Sequence, residues 1–118
     1  MTSGAVLDRR DPLPDLVAMS QTTVSRPALR VAIADDAALF RQGLALLLGE
    51  AGFTVTARAG DAQALLAAVQ ADPPDAVVVD IRMPPTHTTE GLDAARTLAR
   101  THPGIGVLVL SAHVEPGY

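Results

Sequence analysis

Three short apolar runs in this chain each end at a side chain that carries oxygen, and this repetition restricts the fold more than any other feature. The runs are almost continuously apolar, as in strands buried on both faces of a sheet. They are residues 29–34, closed by Asp35 and Asp36, residues 76–79, closed by Asp80, and residues 107–110, closed by Ser111. In an open parallel sheet the carboxyl ends of the strands share one edge, where ligands bind. The pattern predicts that these polar side chains lie near one another.

Helical patterns alternate with the runs. Residues 37–50 place apolar side chains on one stripe of a helix, and further helices are predicted to begin near Asp61 and near Thr88 or Thr89. Residues 53–57 alternate between apolar and polar positions, which indicates a strand near a sheet edge. The resulting order, βαβαβαβ, predicts an α/β fold with a parallel sheet and helices on both faces.

Composition excludes several classes of protein. The 118 residues contain no Cys and carry a formal net charge of −4. Disulfides and thiolate metal sites are thereby excluded, and direct nucleic-acid binding by this segment is not expected, because DNA-binding domains are usually basic. No apolar stretch reaches the roughly 18 residues of a membrane helix, and the N-terminus lacks the apolar core of a secretory signal. A cytoplasmic protein is expected.

The first 28 residues differ from the rest of the chain. They are rich in small and polar residues, include two turn-forming prolines and show no sustained period. We therefore predict a flexible N-terminal leader over residues 1–28 and a single domain over residues 29–118. An alternative is that translation starts at Met19 and that the preceding residues are an upstream extension.

The predicted acidic cluster has a chemical consequence. If Asp35, Asp36 and Asp80 converge to roughly 4 Å, each pair of carboxylates repels by about 4 kcal/mol at an effective dielectric of about 20. Either the carboxylates take up protons or a cation lies among them. Mg²⁺ suits such a site because it prefers oxygen ligands. With the cation bound, a phosphoryl group could approach Asp80, which could attack it to form an acyl phosphate, and Ser111 could donate a hydrogen bond to the phosphoryl oxygens.

Three segments resemble the receiver domain of bacterial two-component response regulators. Residues 31–44, VAIADDAALFRQGL, resemble its first strand and helix, most closely in the branch with a NarL/LuxR-type helix-turn-helix output. Residues 77–85, VVVDIRMPP, resemble its phospho-acceptor segment, and residues 107–113, VLVLSAH, resemble its fourth strand and switch hydroxyl. The resemblance implies a flavodoxin-like fold and a phosphorelay signalling module that is not itself an enzyme.

The resemblance also implies a role for each candidate residue. Asp80 would be the phospho-acceptor, served by a sensor histidine kinase or a small phosphodonor, and Ser111 would be the switch hydroxyl. Asp35, Asp36 and Asp80 would hold Mg²⁺ together with the backbone carbonyl of Arg82. Binding to DNA would occur only through a separate C-terminal helix-turn-helix domain.

The end of the chain departs from the family pattern. The family's domain continues through a fourth helix, a fifth strand that ends in a lysine paired with the acceptor aspartate, and a fifth helix, whereas this chain ends at Tyr118 and contains no Lys. We interpret it as a receiver domain truncated after the fourth strand. An exposed edge along residues 107–110 would favour a homodimer or aggregation, and phosphorylation of Asp80 would be slow or absent.

Other interpretations stay open at this point. The chain could be a non-phosphorylatable remnant or an interaction domain, or, less readily, an aspartyl-phosphate phosphatase. Those phosphatases usually carry a second aspartate two residues after the nucleophile, where this chain has Arg82. Because His87, His102 and His113 lie far apart without metal-ligand spacing, we predict that all three are surface residues.

Overall fold

A computed structural model describes residues 4–8 and 27–111. Within these ranges the chain forms five strands and three helices. In chain order they are β1 (Gly4–Asp8), β2 (Arg30–Ala34), α1 (Ala38–Glu50), β3 (Thr54–Ala59), α2 (Ala62–Ala71), β4 (Ala76–Asp80), α3 (Glu90–Thr101) and β5 (Gly106–Ser111).

The strands form one parallel sheet in the order β1-β5-β4-β2-β3. The predicted α/β class is therefore confirmed, and the three apolar runs are neighbours, with β4 between β2 and β5. Ala34 pairs with Val79, and Asp80 pairs with Leu110. The strands thus end at the same level, which brings the residues that follow β2 and β4 to one edge of the sheet.

The two faces of the sheet carry separate apolar cores. Side chains alternate along each strand, so Ile33 and Val78 pack with Leu44 and Leu48 of α1. On the other face, β2, β4 and β5 pack against α2 and α3 through small and branched side chains; this second core includes Ala32, Leu65, Val69, Val77, Val79, Leu98 and Val109. Among the described residues no helix is long and apolar enough to cross a membrane.

Local signals in the sequence account for the helix boundaries. The Asp61 carboxylate accepts a hydrogen bond from the backbone N–H of Ala64 at 2.7 Å, which makes it the N-cap of α2, as predicted. Helix α1 ends at Glu50, and two residues later Gly52 has a φ of 99°, in the left-handed region that glycine adopts without steric cost. The chain can therefore turn directly from α1 into β3.

Strand β1 is the main departure from the expected organisation. Residues 4–8 fall within the predicted leader, yet they form a strand parallel to β5, with Gly4 opposite Val107 and Asp8 opposite Ser111. The edge of β5 that we expected to be exposed is thus covered by the same chain. Residues 4–7 are small or apolar, which suits a strand, but a run this short gives no periodicity signal. Residues 27 and 28 are the other described part of the predicted leader. Residues 1–3 and 9–26 lie outside the described residues.

Removing β1 tests whether it protects the sheet. A chain that starts at Arg9 should melt about 5–10 °C lower than the full chain, because ladder hydrogen bonds worth roughly 1 kcal/mol each are lost. It should also self-associate through the freed edge of β5. Thermal unfolding by circular dichroism and sedimentation velocity measure the two effects. A chain that starts at Gly4 is the matched control and should behave like the full protein; equal melting temperatures for all three chains would contradict a stabilising role for β1.

Candidate functional site

Three carboxylates meet at the carboxyl edge of the sheet. One oxygen from each of Asp35, Asp36 and Asp80 lies within 4.8 Å of the others. Asp35 and Asp80 are buried, with 1% and 2% of their surfaces exposed, whereas Asp36 faces solvent. The structure thus brings together the three acidic residues singled out in the sequence.

The turn between β2 and α1 fixes the position of Asp35. Its backbone N–H donates to the carbonyl of Ala59 at 3.0 Å, which extends the pairing with β3. Its carboxylate Oδ1 accepts from the N–H of Ala37 at 2.8 Å, and its carbonyl oxygen accepts from Arg41 Nη1 at 2.6 Å. Arg41 therefore connects α1 to the end of β2. The next residue, Asp36, projects from the same turn.

Asp80 is the last residue of the central strand. Immediately after it, the N–H of Ile81 donates to the carbonyl of Leu110 on β5 at 2.9 Å. The N–H of Arg82 lies 3.4 Å from Asp80 Oδ1, so the chain turns back over the carboxylate, while the Arg82 side chain is exposed. Ser111 follows Leu110 and so lies on the strand next to Asp80, at the same edge. The backbone N–H of Arg82 thus lies beside the Asp80 carboxylate, and Ser111 ends the neighbouring strand at the same edge of the sheet.

Helix α3 begins directly against Asp80. The N–H of Gly91 donates to the carbonyl of Ile81 at 2.8 Å. A Cβ atom at Gly91 would lie only 1.6 Å from the Asp80 carbonyl oxygen, so no other residue fits without displacing backbone. This role of Gly91 was not predicted, although a glycine within the first turn of a predicted helix can mark such a close approach.

The loop between Asp80 and α3 is tied to the helix by Glu90. Its carboxylate accepts hydrogen bonds from the N–H of Thr86 at 2.8 Å, from the Thr86 hydroxyl and from the N–H of Thr88 at 3.1 Å. These hydrogen bonds, with the Thr86 hydroxyl first, lower the pKa of Glu90 to about 2. Glu90 therefore stays ionised at neutral pH and holds both residues that flank His87.

His87 reaches from this loop to the acidic cluster. Its Nε2 lies 2.9 Å from Asp36 Oδ2. The side chain is 53% exposed, in line with the predicted surface position, but the contact with Asp36 was not expected because 51 residues separate the two. His102 bonds instead to its neighbour Thr101 at the end of α3, and His113 lies outside the described residues.

The chemistry of the donor set fits a hard divalent cation. Three carboxylates within 4.8 Å repel one another by roughly 3–4 kcal/mol per pair at an effective dielectric of about 20. Mg²⁺ binds oxygen ligands and is commonly held by one or two carboxylates, with water or phosphate oxygens in its other positions. The cluster provides three such carboxylates at one edge of the sheet.

Comparison with known proteins identifies the family. The family model for the response regulator receiver domain matches residues 31–118 of this chain. The chain therefore belongs to the receiver-domain family. The signal receiver domain of NarL from Mycobacterium tuberculosis superimposes with a TM-score of 0.65 and 33% sequence identity, over 77% of this chain and 72% of that one. The matched segment contains β3, β4, β5, all of β2 but its first residue, and the three acidic residues, whereas β1 lies outside it.

Curated relatives carry this domain within longer chains. The transcriptional regulatory protein DegU of Brevibacillus brevis is 34% identical over 96 residues, which cover 80% of this chain and 39% of DegU. A protein-glutamate methylesterase/protein-glutamine glutaminase of Anaeromyxobacter dehalogenans is 39% identical over 101 residues, covering 85% of this chain and 29% of that protein. The match thus spans less than half the length of either relative, and similar receiver segments occur in a transcriptional regulator and in an enzyme.

Two glycine substitutions test how closely α3 approaches Asp80. Gly91→Ala should destabilise the protein by more than about 2 kcal/mol, because the new methyl group overlaps the backbone of β4. Gly43→Ala is the matched control: Gly43 is exposed within α1 with no atom within 4 Å of its would-be Cβ, so the change should stabilise the protein by about 0.5–1 kcal/mol. Urea denaturation measures both, and a Gly91→Ala protein as stable as the wild type would contradict the close contact.

Proposed function

We propose that this chain is the phospho-accepting receiver domain of a two-component response regulator, and that Asp80 receives the phosphoryl group from a sensor histidine kinase with the help of Mg²⁺. The observation that carries the proposal is the meeting of Asp35, Asp36 and Asp80 within 4.8 Å at the carboxyl edge of the sheet. Membership of the receiver family supports it. Asp80 is the acceptor because it ends the central strand and is bordered by the turn that follows.

Transfer of the phosphoryl group is a displacement at phosphorus. A carboxylate oxygen of Asp80 forms the new P–O bond while the P–N bond to the donor imidazole breaks, and the bonding electrons return to the imidazole nitrogen. Asp35, Asp36 and Asp80 would hold the cation, together with the backbone carbonyl of Arg82. When bound, Mg²⁺ neutralises the charge of the acidic cluster and of the phosphoryl oxygens.

The remaining residues orient the product. Ser111, on the strand beside Asp80, would donate a hydrogen bond from its hydroxyl to the phosphoryl oxygens and so report their presence. The N–H of Arg82 already lies beside an Asp80 oxygen at 3.4 Å, where it can donate to added phosphoryl oxygens.

The proposed partner is the phosphohistidine-bearing domain of a kinase. The output would lie beyond this segment, and the similarity to DegU favours transcriptional regulation. This chain carries a net charge of −4, which argues against direct binding of DNA by the receiver segment itself. We also propose a homodimer. It would not form through the edge of β5, because β1 covers that edge.

Phosphorylation of the purified chain tests the proposed acceptor. Incubation with acetyl phosphate and Mg²⁺ should slowly add one phosphoryl group, detected by intact mass and by phosphate-affinity electrophoresis. Asp80→Asn should abolish the modification, and chelation of the divalent ion should suppress it. Asp93→Asn is the control, because that carboxylate is exposed on α3 and pairs only locally. Equal labelling of the Asp80→Asn protein and the wild type would contradict the assignment.

A further inference from the structure

We propose that His87 is a positioning residue for the cation site, where it holds the Asp36 carboxylate by a hydrogen bond from Nε2. This role rests on the proposed function, because it presumes that Asp36 helps to bind Mg²⁺. It adds to that function a residue from the loop after β4, which is 51 positions away in the sequence.

The contact has a defined direction. An ionised carboxylate only accepts hydrogen bonds, so at 2.9 Å the imidazole Nε2 carries the hydrogen and donates it to Asp36 Oδ2. A donor fixed on one carboxylate oxygen orients the other and leaves it available to a cation. Outer-shell partners of this kind orient metal-binding groups throughout metalloproteins, and their loss commonly weakens metal binding about 10- to 100-fold.

The loop around His87 is built to keep the imidazole in place. The backbone of His87 has a φ of 57°, in the left-handed region, and its N–H donates to the carbonyl of Met83 at 2.9 Å. Met83 is completely buried, so it anchors this end of the loop in the core. On both sides of His87, Thr86 and Thr88 donate to the Glu90 carboxylate. The histidine is thus carried on a restrained backbone although its side chain lies at the surface.

Asp36 is the member of the cluster that most needs such support. Asp35 and Asp80 are buried and are held by the ends of two strands, whereas Asp36 follows the strand and has a side chain that is 30% exposed. An exposed carboxylate without a partner samples several rotamers, and ordering it on cation binding costs conformational entropy. The contact with His87 orders the Asp36 carboxylate in part before the cation binds.

Variants at position 87 separate the hydrogen bond from the backbone. Asn tolerates a positive φ well, but its side chain is too short to place a donor where Nε2 lies, so His87→Asn should keep the loop and lose the contact. Gln carries an amide nitrogen at about the same distance from the backbone as Nε2 of His. His87→Gln should therefore restore much of the contact with Asp36. His102→Asn is the matched control, since the imidazole of His102 bonds to the hydroxyl of its neighbour Thr101 at the far end of α3.

Isothermal titration of the full chain with Mg²⁺ alone gives the decisive comparison. We expect His87→Asn to weaken Mg²⁺ binding about tenfold, His87→Gln to recover most of the loss and His102→Asn to match the wild type. Melting curves without Mg²⁺ should be similar for all four proteins, which separates positioning from a general loss of stability.

The outcomes distinguish this role from the function on which it rests. If the wild type binds Mg²⁺ and His87→Asn binds it equally well, the role of His87 is overturned and the proposed function stands. If His87→Gln binds Mg²⁺ as weakly as His87→Asn, loss of the hydrogen bond is not the cause of the weaker binding, and the role of His87 is likewise overturned. If the wild type shows no saturable binding of Mg²⁺, both proposals fall together.

Discussion

Repulsion among three carboxylates is the constraint on which the rest of this structure depends. The parallel register of β2 and β4 brings Asp35, Asp36 and Asp80 to one edge of the sheet, where one oxygen of each lies within 4.8 Å of the others. The stability gained from two apolar cores on the faces of the sheet offsets the strain of gathering like charges at its edge. A sheet edge with this much negative charge attracts a small divalent cation, and the surrounding turns bring backbone donors to the same place.

The loop after the central strand β4 determines the shape of the site at this edge of the sheet. Gly91 lets α3 start against the backbone of Asp80, and Glu90 closes the loop on itself through Thr86 and Thr88. His87 is thereby carried to Asp36. The start of α3 and the acidic cluster are therefore connected through one segment of the chain, residues 80–91.

Much of the fold and of the acidic edge could be predicted from the sequence, because both follow from strong local patterns. The apolar runs before Asp35, Asp80 and Ser111 specify buried parallel strands, and the parallel arrangement alone places their ends together. Two features escaped prediction for physical reasons. Strand β1 is stabilised by pairing with β5 and leaves almost no periodic signal in five residues. The contact of His87 with Asp36 depends on a positive φ and on loop hydrogen bonds that no spacing reveals.

We expect the acids at the ends of β2 and β4 to form a single cation-binding centre around Asp80. Anomalous diffraction from crystals of the full chain grown with Mn²⁺, which binds similar oxygen ligands, tests it most directly. The account predicts one strong anomalous peak in contact with carboxylate oxygens of Asp35, Asp36 and Asp80 and with the backbone carbonyl of Arg82. Well-ordered carboxylates with no peak between them, or an ion bound only elsewhere on the protein, would contradict it.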